Sequence, residues 1–313
     1  MVSQASEETS PQSSGLSARV TGRITTPVRW PRARWLRILG VALLTDFGLR
    51  DGYPGVMKGV ILGIAPGTSL VDLTHEVPPQ DIRTGAWVLH TAWRSFPEGS
   101  VFLCVVDPGV GSARRPIALR TGGRFFIGPD NGLFSYPLAD AEAPGAASAQ
   151  AVILDNPRYF PPAPSRTFHG RDIFAPAAGW LAAGVPFEEL GQALATDSLT
   201  RFAPLRPEWR TNTLVAHVVH IDHFGNIVTD VNGPWAQAVF TAPAPILTIA
   251  GRRITARARA FAEGPESALF LYLDSSGYLA IAQRNGSAVA ALELPGADLF
   301  AQTLTISGIE PFR

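Results

Sequence analysis

The chain has 313 residues, 26 basic against 26 acidic, and a pI near 7.0, so no net field draws it to nucleic acid or to an anionic membrane surface. Hydrophobic residues make up 46% and charged residues 17%, the balance of a chain that buries a large core, and at ~100–200 residues per domain the length suggests two domains. No apolar stretch reaches the ~18 residues that span a bilayer, which excludes a membrane-spanning helix and points to a soluble, cytoplasmic protein.

Residues 1–35 are rich in Ser, Thr, Pro and Arg and lack an apolar core with a cleavage site; they read as a disordered leader or a misassigned start. From Leu36 the run LRILGVALL has the continuous apolar character of a buried parallel strand, ending at Thr45 and Asp46. A helix from Tyr53 to Ala65 follows, then the strand SLVDLTH. Asp81 caps a second helix in which Ile82, Ala86, Leu89, Trp93 and Phe96 recur at helical spacing. SVFLCVV is a third strand, and its lone Cys104, set among apolar neighbours, reads as a buried thiol. PIALRT, RFFIGPDNG and AVILDN are further short strands, and helix returns from Ile173 to Gly184.

This alternation predicts an α/β domain over residues 36–200 with a central, mostly parallel sheet. The loop-rich stretch 183–212 separates it from residues 201–313, where TLVAHVVHID, NIVTDV, ILTIA, ITARARA, ALFLYLD and YLAIAQ predict a small all-β barrel. In such a sheet, ligands bind beyond the carboxyl ends of the strands, where TDFG (Thr45 to Gly48), DPGVG (Asp107 to Gly111), GPDNG (Gly128 to Gly132) and FHGRD (Phe168 to Asp172) stand. Taken singly, each Asp could simply organise its turn, as GPDNG does. DPGVGSARR carries more than a turn needs: a strand-end acid, glycines that allow close backbone approach, and an arginine seven residues on.

Several chemistries drop out. Lys58 is the sole lysine, GxGxxG is absent after the first strand, and neither a P-loop nor a GxSxG elbow occurs. HVVHIDHFGN holds three of the six histidines, but alternation along a strand turns His217 and His223 one way and His220 and Asp222 the other, so no metal site is expected. His75 and His90 read as ordinary structural histidines.

Taken together, TDFG, DPGVG-x-x-RR, PDNG, TFHGRD, DHFGN and SSGYLAIA, in this order over residues 41–290, resemble the S-adenosylmethionine hydroxide adenosyltransferases, relatives of the fluorinase and chlorinase. The resemblance implies an N-terminal α/β domain, a C-terminal β-barrel, and a homotrimer with S-adenosylmethionine bound between subunits. It implies Asp107, Arg114 and His169 as the catalytic set of a hydrolase, where the halogenating relatives carry Tyr in place of Asp107, and Gly170 where the fluorinase has a halide-holding serine. Asp46 would take the ribose hydroxyls and Asp51 the methionine part; Asp222 and Asn226 would take its amine and Ser276 its carboxylate. Phe168 and Trp87 are aromatic candidates near the ligand, though Trp87 reads more readily as a helix-core residue. Arg284 stands with Gln283 where relatives show Val-Asn, in the segment of the adenine edge contacts.

The implied reaction converts S-adenosyl-L-methionine to adenosine and L-methionine. A displaced sulfonium leaves as a neutral group and needs no general acid, so neither metal nor redox cofactor is expected, and positioning of a water in line with sulfur is the main requirement. Two alternatives stay open: a chloride-dependent transferase of the same fold, against which Asp107 stands, and a non-catalytic sensor, which would not need all of Asp107, Arg114 and His169.

Overall fold

The structure is a computed structural model that describes residues 40–310; the leader read at 1–35 and the start of the strand read from Leu36 lie outside the described residues. The first half of the chain runs β1 (Val41–Thr45), α1 (Tyr53–Ile64), β2 (Leu70–Thr74), α2 (Ile82–Ala92), β3 (Val101–Val105), β4 (Pro116–Thr121), β5 (Arg124–Pro129), α3 (Ser135–Ala141), β6 (Gln150–Ile153), α4 (Ala175–Ala182) and β7 (Ala193–Leu194). β1 is buried throughout because its alternate side chains feed two cores. Val41 and Leu43 pack with Met57 and Ile61 on one face of the sheet, and Ala42 and Leu44 with Ala86 and Leu89 on the other. Asp81 caps α2 as its sequence suggests, accepting the Thr84 amide at 2.9 Å. Cys104 is fully buried in the centre of β3, and burial pushes its thiol far up from the ordinary range.

The strands order as β2-β1-β3-β5-β4-β6-β7. Pairings from β2 through β5 are parallel and those from β5 through β7 antiparallel, so the sheet is mixed rather than mostly parallel. The reason is local. Gly122 and Gly123, at φ 55° and 72°, join β4 to β5 in a two-residue loop between the paired Thr121 and Arg124. Two successive positive φ values make the tight turn of a hairpin, and a parallel pair would instead need a long crossover.

The second half runs β8 (Glu208–Arg210), β9 (Thr213–Ile221), β10 (Ile227–Asn232), α5 (Gly233–Thr241), β11 (Ile246–Ile249), β12 (Arg252–Ile254), β13 (Leu269–Leu273), β14 (Tyr278–Gln283), α6 (Ala288–Ala291), α7 (Gly296–Leu299) and β15 (Thr303–Ser307). Its order is β12-β11-β15-β9-β10-β14-β13, with β8 beside β9 and every strand pair antiparallel. The segment after β12 folds back onto β13 through a bridge at Arg257 and Leu271, which nearly closes the sheet into a barrel. ITARARA is thus only in part a strand, and α5, packed on β10, β13 and β14, is a helix that the strand-by-strand reading omits.

Trp87 of α2 is 4% exposed and packs with Val228, Phe270, Tyr272 and Ala280 in the seam between the two sheets, so it is a core residue. Beside it, His90 Nε2 lies 2.9 Å from Tyr278 Oη. Burial, with a smaller contribution from Arg94, pushes the His90 imidazole down from 6.5 to about 4. The folded chain therefore holds His90 neutral in a range where the unfolded chain protonates it. Stability is complete above pH 6.5 and is lost as pH falls from 6.5 toward about 4, by about 3 kcal/mol at most. Urea titrations at pH 7.0 and 4.5 are expected to show this loss in the wild type and a markedly smaller one in His90→Gln.

Candidate active site

The site forms where β1 and β3 end. Asp46 and Phe47 leave β1, and Asp107 follows β3 by two residues, at the carboxyl side of adjacent parallel strands. The loop after Asp107 meets residues 165–169 closely: a Cβ at Gly111, whose φ is +77°, would stand 2.4 Å from the Arg166 carbonyl oxygen. Glycine is required there by both conformation and space. His169 then enters a π-helical turn, Gly170–Phe174, that leads into α4. A Cβ at Gly170 would stand 3.0 Å from the Phe168 ring and 3.1 Å from Met57 Sδ, so this corner of the site is packed tight.

Arg114 links the two loops. Its Nε donates to Asp107 Oδ1 at 2.9 Å and Oδ2 at 3.0 Å, and Nη2 donates to Oδ2 and to His169 Nδ1, the latter at 2.7 Å. The Asp107 and Arg114 side chains are 4% and 9% exposed. Because a guanidinium only donates, His169 Nδ1 is an acceptor, which puts the imidazole proton on Nε2. Burial, then the Arg114 charge, holds His169 below its ordinary range; Asp107 and Asp172 oppose this and do not prevail. Arg114 Nη1 is buried with no hydrogen-bond partner among the described residues, a donor in reserve. The next residue points elsewhere: Arg115 pairs with Asp130 of GPDNG, whose other oxygen accepts the Thr200 amide at 2.7 Å, a turn-organising role.

Asp107 and His169 line a cavity of about 330 Å³ whose walls come from residues 47–171. Phe47, Tyr53 and Phe168 meet edge to face along it, with ring centroids 5.2 to 6.1 Å apart, an apolar surface suited to a planar ring. The sequence marks Tyr53 only as the start of a helix; its signal is an aromatic residue opening the first helix straight after a strand-end loop. Asp46 Oδ2 accepts the Gln80 amide at 2.8 Å beside Phe47, and Asp51 is exposed two residues before Tyr53.

The remaining candidates stand on the barrel. Asp222 closes the β9–β10 turn on itself: Oδ1 accepts the amides of Phe224 and Asn226 at 2.9 and 2.8 Å, and Oδ2 the Asn226 side chain at 2.7 Å. The turn thrusts Phe224, 73% exposed, into solvent. Arg284 follows β14 near this end of the sheet, 3.8 Å from Glu266. Ser276 lies at the opposite end, because Tyr278 pairs with Asn232 while Ile281 pairs with Ile227; within one chain it is not brought to Asp222 and Asn226. The histidines of this region go separate ways: His217 pairs with Asp230 at 2.8 Å, His220 stacks on Trp87 and His223 packs on Phe224.

An α/β domain with a polar network and an aromatic-walled cavity at its strand ends, followed by a small β-barrel, defines a two-domain enzyme architecture for a small molecule. The family model of the SAM hydroxide adenosyltransferase N-terminal domain matches residues 41–191, and that of the C-terminal domain residues 216–300. The chain belongs to the SAM hydroxide adenosyltransferase family. It is 42% identical over 263 residues, 81% of this chain and 95% of the relative, to an (R)-S-adenosyl-L-methionine hydrolase of Thermus thermophilus. A fluorinase of Nocardia brasiliensis is more distant, 30% identical over 80% of this chain and 91% of its own. The crystal structure of an uncharacterized conserved protein from Thermotoga maritima superposes with a TM-score of 0.75 at 33% identity, covering 85% of this chain and 99% of that one.

Proposed function

We propose that this chain hydrolyses (R)-S-adenosyl-L-methionine to adenosine and L-methionine. The observation that carries the reading is the Asp107–Arg114–His169 network on the wall of the cavity, in a chain that shares 42% identity with a relative bearing that activity in its name. A carboxylate offers about four lone-pair positions and Arg114 takes three at Asp107, which leaves one to accept from a water. His169 Nε2–H is the donor to the water oxygen and takes one of its two lone pairs. Held this way, the water keeps one lone pair for in-line attack on the ribose C5′. The C5′–O bond forms as C5′–S breaks, the sulfur leaves as the neutral thioether of methionine, and the water proton passes by way of Asp107 to solvent. Neither a metal nor a redox cofactor has a step to perform.

In this reading Asp46 takes the ribose hydroxyls, the Phe47–Tyr53–Phe168 surface takes an apolar part of the ligand, and Asp51 a polar group of the methionine part. Asp222 and Asn226 take the methionine amine and Ser276 its carboxylate. The cavity wall comes from residues 47–171, while Asp222, Phe224 and Asn226 stand on the barrel, so we assign the completed site to the junction of two copies in a homotrimer. The domains divide near residue 200. No helix among the described residues is long and apolar enough to cross a membrane, and the substrate class fits a cytoplasmic setting.

The test is incubation of the purified protein with each sulfonium epimer of S-adenosyl-L-methionine, with and without chloride, followed by chromatography and mass analysis. Adenosine and methionine in equal amounts, independent of chloride, is the expected result. A 5′-chloro nucleoside that appears only with chloride would replace it with the halogenase reading, and unchanged bound ligand with a sensor. Mixed oligomers test the shared site: Asp107→Asn and Asn226→Ala chains, each weak alone, are expected to regain part of the activity when refolded together, with a light-scattering mass of three chains.

A further inference from the structure

Thr45, the last residue of β1, is fully buried, and its Oγ1 lies 2.8 Å from Nδ1 of His75, which is 3% exposed. On the other side of the ring, His75 Nε2 lies 2.9 Å from Asp72 Oδ1, and Asp72 Oδ2 accepts from Lys58 Nζ of α1 at 2.6 Å. The direction of every bond follows from the carboxylate at one end. Asp72 accepts, so His75 Nε2 carries the proton; Nδ1 accepts from the Thr45 hydroxyl; and Thr45 Oγ1 in turn accepts the amide of Phe47 at 3.2 Å. Burial pushes the Asp72 carboxyl up, but its bonds and charge contacts with Lys58 and His75 outweigh this and hold it below the ordinary range.

The ladder between β1 and β2 does not need this chain of groups. It has its own backbone bonds, and its register slips between Leu43, opposite Asp72, and Leu44, opposite Thr74. The slip lets Asp72 and His75 meet side by side. Other ties hold the same loop as well: the Gly48 amide donates to the His75 carbonyl at 2.7 Å, the Val77 amide to the Thr45 carbonyl at 3.3 Å, and the Gln80 amide to Asp46. What the side-chain relay adds is the placement of one segment, residues 45–47, which carries Asp46 and the Phe47 ring into the site.

We infer that the Lys58–Asp72–His75–Thr45 relay is a positioning network for substrate: it fixes the Asp46–Phe47 segment from behind, so that the binding surface is formed before the ligand arrives. None of the four residues is catalytic, and Thr45 and His75 are too buried to meet substrate. The inference rests on the proposed hydrolase reading. It predicts an effect on substrate capture that is separate from the chemical step.

The test uses the full chain as wild type, Thr45→Val, Thr45→Ser and the partly exposed Asp72→Asn, with kcat, KM, adenosine affinity by calorimetry and Tm measured for each. Thr45→Val keeps the shape and removes the hydroxyl; KM and the adenosine Kd are expected to rise about tenfold with kcat within about twofold. Thr45→Ser is expected to restore both constants to within about twofold, and Asp72→Asn to shift them in the same direction by a smaller factor. A Thr45→Val protein with lowered Tm but unchanged KM and Kd would show a purely structural role and overturn the inference, as would a loss confined to kcat. If the wild type binds adenosine but releases none from substrate, the hydrolase reading fails while the adenosine Kd values still decide the relay; a wild type that neither converts nor binds overturns both.

Discussion

Asp107→Asn is expected to lower kcat by a factor on the order of 10²–10⁴ while KM stays within about threefold. The substitution keeps the shape of the side chain and removes the carboxylate that, in the proposed mechanism, takes the proton of the attacking water. Substrate affinity is spared because the aromatic surface and Asp46, which hold ligand in the proposed reading, stand on other segments. A second consequence must be read apart from the first. Asp107 and Arg114 are 4% and 9% exposed, and removing one charge of a buried pair costs about 3–5 kcal/mol in typical cases. The amide still accepts through one oxygen, which limits the loss, and kcat is therefore to be expressed per folded chain, with the folded fraction taken from circular dichroism at the assay temperature. Wild-type turnover in folded Asp107→Asn would remove this carboxylate from the reaction.

What made the site legible in the sequence was the coincidence of polar clusters with strand ends. β1 and β3 are continuous apolar runs, and both ends carry their acids onto the same edge of the sheet because adjacent parallel strands end together. Arg114 and His169, 55 positions apart, meet only through Gly111, where a positive φ and a 2.4 Å approach permit nothing larger; the glycine is visible in the sequence and its neighbour is not. Spacing could not separate Arg114 from Arg115, although one holds Asp107 and His169 and the other Asp130. The expectation of a mostly parallel sheet passed over Gly122-Gly123, where two adjacent glycines between apolar runs signal a hairpin and not a crossover. α5 is harder to see, because Trp235, Ala236 and Val239 lie between strands of a sheet and their short apolar pattern fits either period. The relay behind Asp46 was invisible for a different reason: Thr45, Lys58 and Asp72 stand on three elements and His75 just after the last of them, and a register slip between β1 and β2 falls where Asp72 and His75 meet.

Arg114→Lys is expected to lower kcat about a hundredfold even though it keeps the positive charge beside Asp107. The guanidinium does three things at once: a fork onto Asp107, a bond from Nη2 to His169 Nδ1, and a free donor at Nη1. A lysine ammonium presents its donors from one nitrogen and cannot hold the carboxylate with that fork while reaching the imidazole. Asp107 keeps a cation nearby, so folding suffers less than in a neutral substitution, whereas His169 loses the bond that fixes its tautomer. The pH profile separates these effects. In the wild type burial and the Arg114 charge hold His169 below its ordinary range, so the neutral form with its proton on Nε2 persists to lower pH than in a free imidazole. With Nδ1 released it can take a proton there; burial and the lysine charge still oppose the charged form, but the donor that occupied Nδ1 is gone while Asp107 and Asp172 continue to favour it. The acid limb of kcat is therefore expected to move to higher pH in Arg114→Lys. A rate loss that leaves this limb where it stands in the wild type would mean that Arg114 serves Asp107 alone and that the tautomer of His169 is set by something else.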